Sequence, residues 1–306
     1  MNQLMVSMDL DDAWAYQRAR GMDDWESTRT ILPQAADAAV SVLDAVGIRE
    51  ATMFAVGRDA ATPSGARLLG ELSAHGYEIA NHSWMHRGEL PGQTPENIRD
   101  DLTQTSTAIY AATGVEVRGF RCPSFGSSHE LSEALQSLGF MYDASAFPTV
   151  LVPVLRGYHR LVAGRGEAEP TYGALRTIVA SQRIHATPGQ PVSVPVTTMP
   201  GLRLPIHGSY LMALAERSPK VALTYLRLFD RLARRSKLDV SFLIHPTDVL
   251  DSTEAPELGF FPGMGMNSIK KREVLRIALS TLAEGRSPTS TIEAADYYSA
   301  RKAPNE

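Results

Sequence analysis

The sequence predicts an α/β fold built on parallel strands, arranged as a barrel or a doubly wound sheet. Short apolar segments such as LMVSMDL, ATMFAVG and YEIANHS alternate with longer segments of helical character. Gly47 and Gly76 follow two of the predicted helices, and Thr94-Pro95 precedes a third, as expected at helix ends and starts. Repeated strand and helix pairs of this length are typical of parallel βαβ units.

The first half of the chain contains four such pairs in order. The predicted strands are LMVSMDL, ATMFAVG, YEIANHS, VRGFRCP and FMYDASAF. The predicted helices between them are TILPQAADAAVSVLDAVGI, SGARLLGELSAHG, TPENIRDDLTQTSTAIYAATG and SHELSEALQSLG. Enough pairs occur before residue 150 to build most of a barrel or a doubly wound sheet.

The alternation lapses between about residues 148 and 190, where glycine, proline and arginine are frequent, and we interpret this segment as an insertion. After it, the sequence predicts a strand at VSVPVTT and a helical stretch broken near Pro219. It then predicts a strand at DVSFLIHP, a helix at SIKKREVLRIALSTLAEG and a last strand near TSTIEAA. We expect a single domain over residues 1–306.

Composition excludes several classes of function. A net charge of -4 gives no basic field for nucleic acid, and the single cysteine, Cys122, excludes intrachain disulfides and clusters of thiolate zinc ligands. No apolar segment approaches the ~20 residues of a membrane span, and the N-terminal segment lacks the pattern of a signal peptide. We therefore expect a cytoplasmic enzyme.

Polar residues with metal-binding chemistry stand at the predicted strand ends. Asp9 and Asp11 end the first strand, and His82 and His245 end later ones. Active sites of parallel α/β folds lie at the carboxyl ends of the strands, so these side chains are expected to meet. Two carboxylates beside histidines favour a divalent metal with open positions for water and substrate. His82 and His86 are four residues apart, a spacing that places both on one face if the segment is helical.

Five segments, taken in order, resemble the motifs of the polysaccharide deacetylase superfamily, carbohydrate esterase family four, also called NodB-like. They are SMDLDDAW, NHSWMH, GFRCPSF, YDASAF and FLIHP, and they span about residues 4 to 250. The resemblance implies a deformed (β/α)₇ barrel. The segment PVTTMPGLRLPIHGSYL is similar to members that act in exopolysaccharide and lipid-linked aminosugar pathways, including deformylases.

The resemblance also implies a role for each motif residue. Asp11, His82 and His86 would bind the metal, with zinc preferred. Asp9 would be the general base, Arg121 would orient it, and His245 would be the general acid.

The run Asp9-Leu10-Asp11-Asp12 leaves two registers open, because most members of the superfamily carry adjacent acids. In one register Asp9 is the base and Asp11 the ligand; in the other these are Asp11 and Asp12. We prefer the first, because residues two apart on a strand project from the same side.

Three further residues are candidates for the substrate subsite, namely Tyr142 and Asp143 in YDASAF and His207 in LPIHGSY. We expect a metal-dependent hydrolase that removes an acetyl or formyl group from the nitrogen of an amino sugar, carried on a glycan or a lipid. A peripheral contact with the inner face of a membrane is compatible with the basic helix around YLRLFDRLARR. The alternatives are a hydrolase of small linear or cyclic amides, and a non-catalytic relative that binds carbohydrate.

Overall fold

The computed structural model describes residues 2–153 and 178–301. Its strands and helices follow in chain order: β1 (Asn2–Leu10), α1 (Ala13–Ala19), α2 (Leu32–Ala45), β2 (Thr52–Ala55), α3 (Gly57–Ala60), α4 (Pro63–Ala74), β3 (Glu78–Asn81), α5 (Pro95–Thr113), β4 (Gly119–Phe120), α6 (His129–Ser137), β5 (Tyr142–Asp143), β6 (Val192–Ser193), α7 (Gly208–Arg217), α8 (Pro219–Arg235), β7 (Val240–Ile244), α9 (Ser268–Ala283), β8 (Arg286–Thr289) and α10 (Thr291–Ala300). Most of the predicted insertion at about 148–190 lies outside the described residues, so the insertion and the single-domain division remain predictions.

The strands form one parallel sheet in the order β6-β5-β4-β3-β2-β1-β7, and β8 pairs with the first half of β1. Beyond β6, Thr197 donates its backbone N–H to the carbonyl of Ser241 in β7 at 3.1 Å, which links the two ends of the strand order. A curled parallel sheet with helices packed against it confirms the deformed (β/α)₇ barrel implied by the sequence motifs.

Strand β1 pairs with β2, β7 and β8, and it divides its side chains between two environments. Its even-numbered apolar residues, from Leu4 to Leu10, belong to the large core cluster that also contains helix residues. Met5 packs in a second cluster with Phe54 and Tyr142. Ser7 and Asp9 follow Met5 at the strand period of two, so the face that begins with Met5 becomes polar toward the carboxyl end.

The helix boundaries follow local chemistry that the sequence displays. Thr94 accepts a hydrogen bond from the N–H of Asn97 at the start of α5, and Pro95 occupies the first turn. Gly114 ends the helix in the left-handed conformation, with φ of 71°. The predicted break near Pro219 is also confirmed, since α7 ends at Arg217 and α8 begins at Pro219.

The last predicted strand, near TSTIEAA, is misplaced. Strand β8 ends at Thr289, the first residue of that segment, and α10 begins at Thr291. Ser290 and Glu293 form a capping box, in which each side chain accepts a hydrogen bond from the other residue's N–H, at 3.3 and 3.2 Å. The serine and glutamate spacing therefore starts a helix where β-branched residues suggest a strand.

Helix α8 is the most amphipathic surface element. Its buried side includes Leu226 and Phe229, as their helical spacing predicts, while Lys220, Arg227 and Arg231 are exposed. Among the described helices, none combines the length and the apolar character needed to cross a membrane.

A buried lysine ties helix α9 to the turn that follows β7. Lys271 is fully buried, and its ammonium donates to the carbonyls of Thr247 and Leu250 at 2.7 and 2.6 Å. Burial lowers the pKa of Lys271, and neighbouring acids, Asp248 first, oppose that shift. The lysine thus stabilises the turn immediately beyond His245.

Lys271→Met should lower the free energy of unfolding by about 2 kcal/mol or more, because two buried carbonyls lose their hydrogen-bond donor. Urea denaturation measures the change. Lys270→Met is the matched control, since Lys270 is the adjacent residue and is exposed, and it should alter stability by less than about 0.5 kcal/mol. Equal stability of the two variants would contradict a supporting role for Lys271.

Candidate active site

The carboxyl end of the sheet brings together side chains that are far apart in the sequence. Asp9 lies near the end of β1, His82 directly after β3, Arg121 directly after β4 and His245 directly after β7. Parallel strands all end at the same edge, so these four residues meet although up to 236 positions separate them. Asp9, His82 and Arg121 are buried, and the side chain of His245 is 16% exposed.

Asp11 and two histidines form a compact group of potential metal ligands. Asp11 Oδ1 lies 3.3 Å from His82 Nε2 and 3.1 Å from His86 Nε2. One ligand atom from each of the three residues can be chosen so that all lie within 4.8 Å of one another. Two imidazoles and one carboxylate, with further positions open, form a donor set typical of catalytic zinc sites.

The orientation of His82 shows why this group fits a cation. Its Nδ1 lies 2.7 Å from the backbone carbonyl of Arg121, which can only accept, so Nδ1 carries the proton. In the neutral ring, Nε2 then presents a lone pair toward Asp11 Oδ1, a buried atom with no hydrogen-bond partner among the described residues. A cation between the lone pairs would satisfy both atoms, and a backbone partner on the other nitrogen is usual for metal-binding histidines.

When no metal ion is bound, protons on the histidines can balance the negative charge of Asp9 and Asp11. Burial lowers the pKa of His82, but the negative charges of Asp9 and Asp11 outweigh it, so the net shift is upward. Burial raises the pKa of Asp11, yet the charge of His86 first, and then the closeness of both imidazoles to its carboxylate, leave it well below its usual value. The site is therefore strongly attractive to positive charge.

His86 reaches this group from a turn, not from a helix. β3 ends at Asn81, and both Ser83 and His86 adopt left-handed backbone conformations, with φ of 62° and 50°. The one-face helical geometry suggested by the four-residue spacing is therefore wrong. Arg18 in α1 donates from Nη2 to the carbonyl of His86 at 3.0 Å and stabilises this unusual conformation.

Asp12 faces away from the metal group. Its Oδ1 accepts hydrogen bonds from the N–H groups of Ala13 and Ile31 at 2.7 and 2.9 Å, and it thereby caps the N-terminus of α1. The geometry accordingly favours the register in which Asp9 and Asp11 share the site.

Asp9 is held by a buried ion pair with Arg121. Asp9 Oδ1 lies 2.5 Å from Arg121 Nη1, while Arg121 Nη2 donates to Ser7 Oγ at 3.0 Å and Nε donates to the carbonyl of Ala144 at 3.2 Å. The guanidinium also lies over the ring of Phe54, 4.0 Å from its centroid. These contacts engage one oxygen of Asp9 and leave Oδ2 facing His82 and His245, each at 3.7 Å.

His245 lies opposite the metal group with its outer nitrogen toward the two carboxylates. Its Nε2 is 3.7 Å from Asp9 Oδ2 and 4.0 Å from Asp11 Oδ2. On the other side, Nδ1 lies 3.1 Å from Ser209 Oγ and 3.8 Å from Asp248 Oδ2. Burial lowers the pKa of His245, but Asp248, Asp9 and Asp11 together raise it to about 9.

The three candidates for the substrate subsite lie in different places. His207 is beside the site: its ring centroid is 6.4 Å from that of His245, and its buried Nδ1 has no hydrogen-bond partner in the described part of the chain. Burial first, and then the charge of His245, lower the pKa of His207 to about 4. Tyr142 is fully buried and donates to Glu78 Oε1 at 2.7 Å, at the end of β3 opposite His82.

Asp143 has a local role in the segment that follows β5. Its Oδ1 accepts from the backbone N–H of Ser145 at 2.8 Å and also from the hydroxyl of that serine. Ser145 Oγ in turn accepts from the N–H of Cys122 at 2.8 Å. Tyr142 and Asp143 thus support the sheet and its loops. Of the three candidates, only His207 lies beside the candidate active site.

Sequence reasoning missed several supporting residues. The sequence could have predicted the role of Asp248, because it stands three residues after His245 in HPTD, the spacing of a capping box. Its side chain accepts a hydrogen bond from the N–H of His245 at 2.8 Å. Ser7 precedes Asp9 by two on the same strand face. Ser209 and Arg18 have no such signal, since only the tertiary fold brings them to His245 and His86.

Part of the chain is similar in sequence to known proteins. Residues 6–142 match the family model described as polysaccharide deacetylase, a span that contains Asp9, Asp11, His82, His86 and Arg121. A peptidoglycan deacetylase-like protein, FGM2, from Gibberella zeae is 32% identical over 108 residues, which are 35% of this chain. The match spans only 31% of that relative's length.

A solved structure of low sequence identity shares the fold. The crystal structure of a "putative polysaccharide deacetylase" from Mycobacterium smegmatis superposes with a TM-score of 0.62 at 16% identity, over 98% of this chain and 92% of the other. BA3943, a pseudoenzyme of carbohydrate esterase family four from Bacillus anthracis, superposes with a TM-score of 0.49 at 15% identity, over 96% and 66% of the two chains.

Asp11→Asn should lose most of the bound metal, whereas Asp12→Asn should keep about one divalent ion per chain, because only Asp11 faces the two histidines. Elemental analysis after dialysis against zinc measures the content. Metal loss in Asp12→Asn together with retention in Asp11→Asn would establish the other register.

In the metal-free protein, the imidazole of His245 should keep its proton to about pH 9, as followed by NMR titration. Because the pKa of His245 is higher in the folded state than its ordinary 6.5, the protonated imidazole stabilises the fold. This stabilisation is complete below pH 6.5 and is lost as the pH rises through about 9. Asp248→Asn should lower this pKa, because it removes the negative charge nearest Nδ1. Asp100→Asn, on the exposed side of α5, is the control. An unchanged His245 pKa in Asp248→Asn would contradict the assigned cause.

Proposed function

We propose that this member of the polysaccharide deacetylase superfamily is a metal-dependent hydrolase that removes an N-acyl group, acetyl or formyl, from an amino sugar. One observation carries the proposal: three potential metal ligands, a carboxylate and a histidine meet at one end of the sheet. Asp9 Oδ2 and Asp11 Oδ2 both lie within 4.0 Å of His245 Nε2. A reacting amide placed between Asp9, Asp11 and His245 would contact the metal ligands, the carboxylate of Asp9 and the imidazole of His245.

Metal binding supplies the first requirement of amide hydrolysis. A divalent ion held by Asp11, His82 and His86, which we propose is zinc, would polarise the amide carbonyl and lower the pKa of a water molecule. Two observations support this assignment: Asp11 Oδ1 is buried without a hydrogen-bond partner among the described residues, and the tautomer of His82 is fixed.

Asp9 is suited to the role of general base. Arg121 and Ser7 fix the orientation of the carboxylate through the guanidinium, and only Oδ2 is left to receive a proton. A carboxylate oxygen is an acceptor of hydrogen bonds and can take a proton from water. As water adds to the carbonyl carbon, Asp9 takes one of its protons.

His245 is suited to the role of general acid. Burial lowers the pKa of His245, but Asp248, first among the neighbouring acids, raises it, and Ser209 and Asp248 hold the inner nitrogen so that Nε2 faces the reacting group. When the carbon–nitrogen bond breaks, His245 gives its proton to the leaving nitrogen. The products are a free amine and acetate or formate.

We propose that the amino sugar belongs to a glycan or a lipid-linked sugar, with His207 at the edge of the subsite. The family match and the peptidoglycan deacetylase-like relative support a glycan. The exposed cations of α8 are compatible with a peripheral contact with an anionic membrane, at the cytoplasmic face.

The test measures metal content and acyl release together. The zinc-loaded protein should release acetate or formate from N-acylated sugars. Asp9→Asn and His245→Ala should each keep about one ion per chain but lose activity by on the order of 10²-fold or more, as loss of a general base or acid usually does. Asp12→Asn is the matched control for metal content and activity.

Three outcomes distinguish the alternatives. Binding of sugars without acyl release would indicate a non-catalytic carbohydrate-binding relative. Release from small linear or cyclic amides, and from no sugar, would indicate a hydrolase of small metabolites. Full activity in Asp9→Asn would remove the general base from the proposed mechanism.

A further inference from the structure

Helix α1 brings a tyrosine hydroxyl to one of the proposed metal ligands. Tyr16 stands in α1, four residues after Asp12, the residue that caps the helix. Its Oη lies 3.5 Å from Asp11 Oδ2, at the outer limit of a hydrogen bond. The phenol is the donor in this pair, because an ionised carboxylate can only accept. Tyr16 therefore places a neutral donor next to the negative charge of Asp11.

The two oxygens of Asp11 face different neighbours. Oδ1 faces the other potential ligands, at 3.3 Å from His82 Nε2 and 3.1 Å from His86 Nε2. Oδ2 faces the opposite group, at 3.5 Å from Tyr16 Oη and 4.0 Å from His245 Nε2. A carboxylate can bind a metal ion through one oxygen or through both. A donor on Oδ2 favours binding through Oδ1 alone, because an oxygen that accepts a hydrogen bond is less free to turn toward the ion.

The ring of Tyr16 is held by packing. It is half-buried against the main core cluster, and it meets the ring of Phe261 edge to face, with the centroids 5.4 Å apart. Phe261 lies in a closed turn, since its N–H donates to the carbonyl of Leu258 at 2.8 Å and its own carbonyl accepts from the N–H of Met264 at 3.1 Å. The hydroxyl is thus brought to Asp11 by a ring whose position other contacts determine.

The same helix supports a second potential ligand. Arg18 of α1 donates from Nη2 to the backbone carbonyl of His86 at 3.0 Å. The start of the helix is fixed by Asp12, which accepts the N–H of Ile31 at 2.9 Å. Tyr16 and Arg18 therefore reach two of the three potential ligands from one anchored element. Contacts of this kind orient metal ligands, and their loss typically costs about 10–100-fold in metal affinity or activity.

We propose that Tyr16 is a positioning residue for the metal site. Its hydroxyl donates to Asp11 Oδ2 and keeps that oxygen away from the ion, so that Asp11 binds through Oδ1 and further coordination positions stay open for water and substrate. This inference rests on the proposed function, because it requires an ion held by Asp11 and the two histidines. Tyr16 acts through Asp11 and is not itself a ligand.

Tyr16→Phe removes the hydroxyl and keeps the ring that packs against Phe261, so the variant should fold. The Kd for zinc, measured without substrate by competition with a chromogenic chelator, should rise about tenfold. The protein loaded with Co²⁺ reports the coordination geometry. When Asp11 Oδ2 is free to bind, the ion gains a ligand atom, and the visible absorption of Co²⁺ should weaken as its coordination number rises.

Tyr225→Phe is the matched control. It makes the same chemical change in α8, where the hydroxyl donates to the backbone carbonyl of Pro205 at 2.6 Å and not to a residue of the metal group. This variant should bind zinc, and should absorb light when loaded with Co²⁺, as the unaltered protein does. An equal loss of zinc affinity in Tyr16→Phe and Tyr225→Phe would indicate a general loosening of the fold and would overturn the proposal.

Zinc affinity that is unchanged in Tyr16→Phe would also overturn the proposal, as would a weaker affinity with an unaltered Co²⁺ spectrum. Acyl release by the unaltered, zinc-loaded protein is measured alongside. Failure of acyl release, with zinc affinity still dependent on Tyr16, would contradict the proposed function and leave the positioning role standing. Acyl release with zinc affinity independent of Tyr16 would contradict only the role of Tyr16.

Discussion

The buried ion pair between Arg121 and Asp9 is the interaction on which the site depends. Arg121 is fully buried, so its charge requires compensation, and Asp9, Ser7 and the carbonyl of Ala144 provide it. The backbone carbonyl of Arg121 also fixes the tautomer of His82. One residue after β4 therefore orients both the carboxylate proposed as base and a proposed metal ligand.

This arrangement explains the polar face of β1. On the side of the sheet that begins with Met5, the strand continues through Ser7 and Asp9, while the opposite side remains apolar to Leu10. A buried guanidinium needs acceptors on the strand it crosses, and Ser7 and Asp9 supply two at the strand period. On this face of β1, the apolar core thus ends where the candidate active site begins.

The far side of the site is held by a different set of contacts. Asp248 accepts from the backbone N–H of His245, and Lys271 of α9 binds the carbonyls of Thr247 and Leu250 around it. Because these groups are buried, their hydrogen bonds restrict the turn more than exposed ones could. His245 consequently faces the two carboxylates from a rigid support, while Arg18 serves a similar purpose for the backbone of His86.

Much of this protein could be predicted from its sequence, because the determining signals are local or periodic. Alternating apolar segments and helix caps predict the parallel α/β order, and the strand ends predict which polar residues meet. The resemblance of the ordered motifs implies that Asp11, His82 and His86 lie together as potential metal ligands, and the three side chains do lie together. What the sequence left open depends on contacts between distant segments. Asp12 turns from the site because Ile31, nineteen residues later, donates to it, and His86 approaches Asp11 through a left-handed turn that no residue preference predicts. Spacing along the chain specifies which residues share a strand end, whereas the direction of each side chain is decided by partners that only the folded chain supplies.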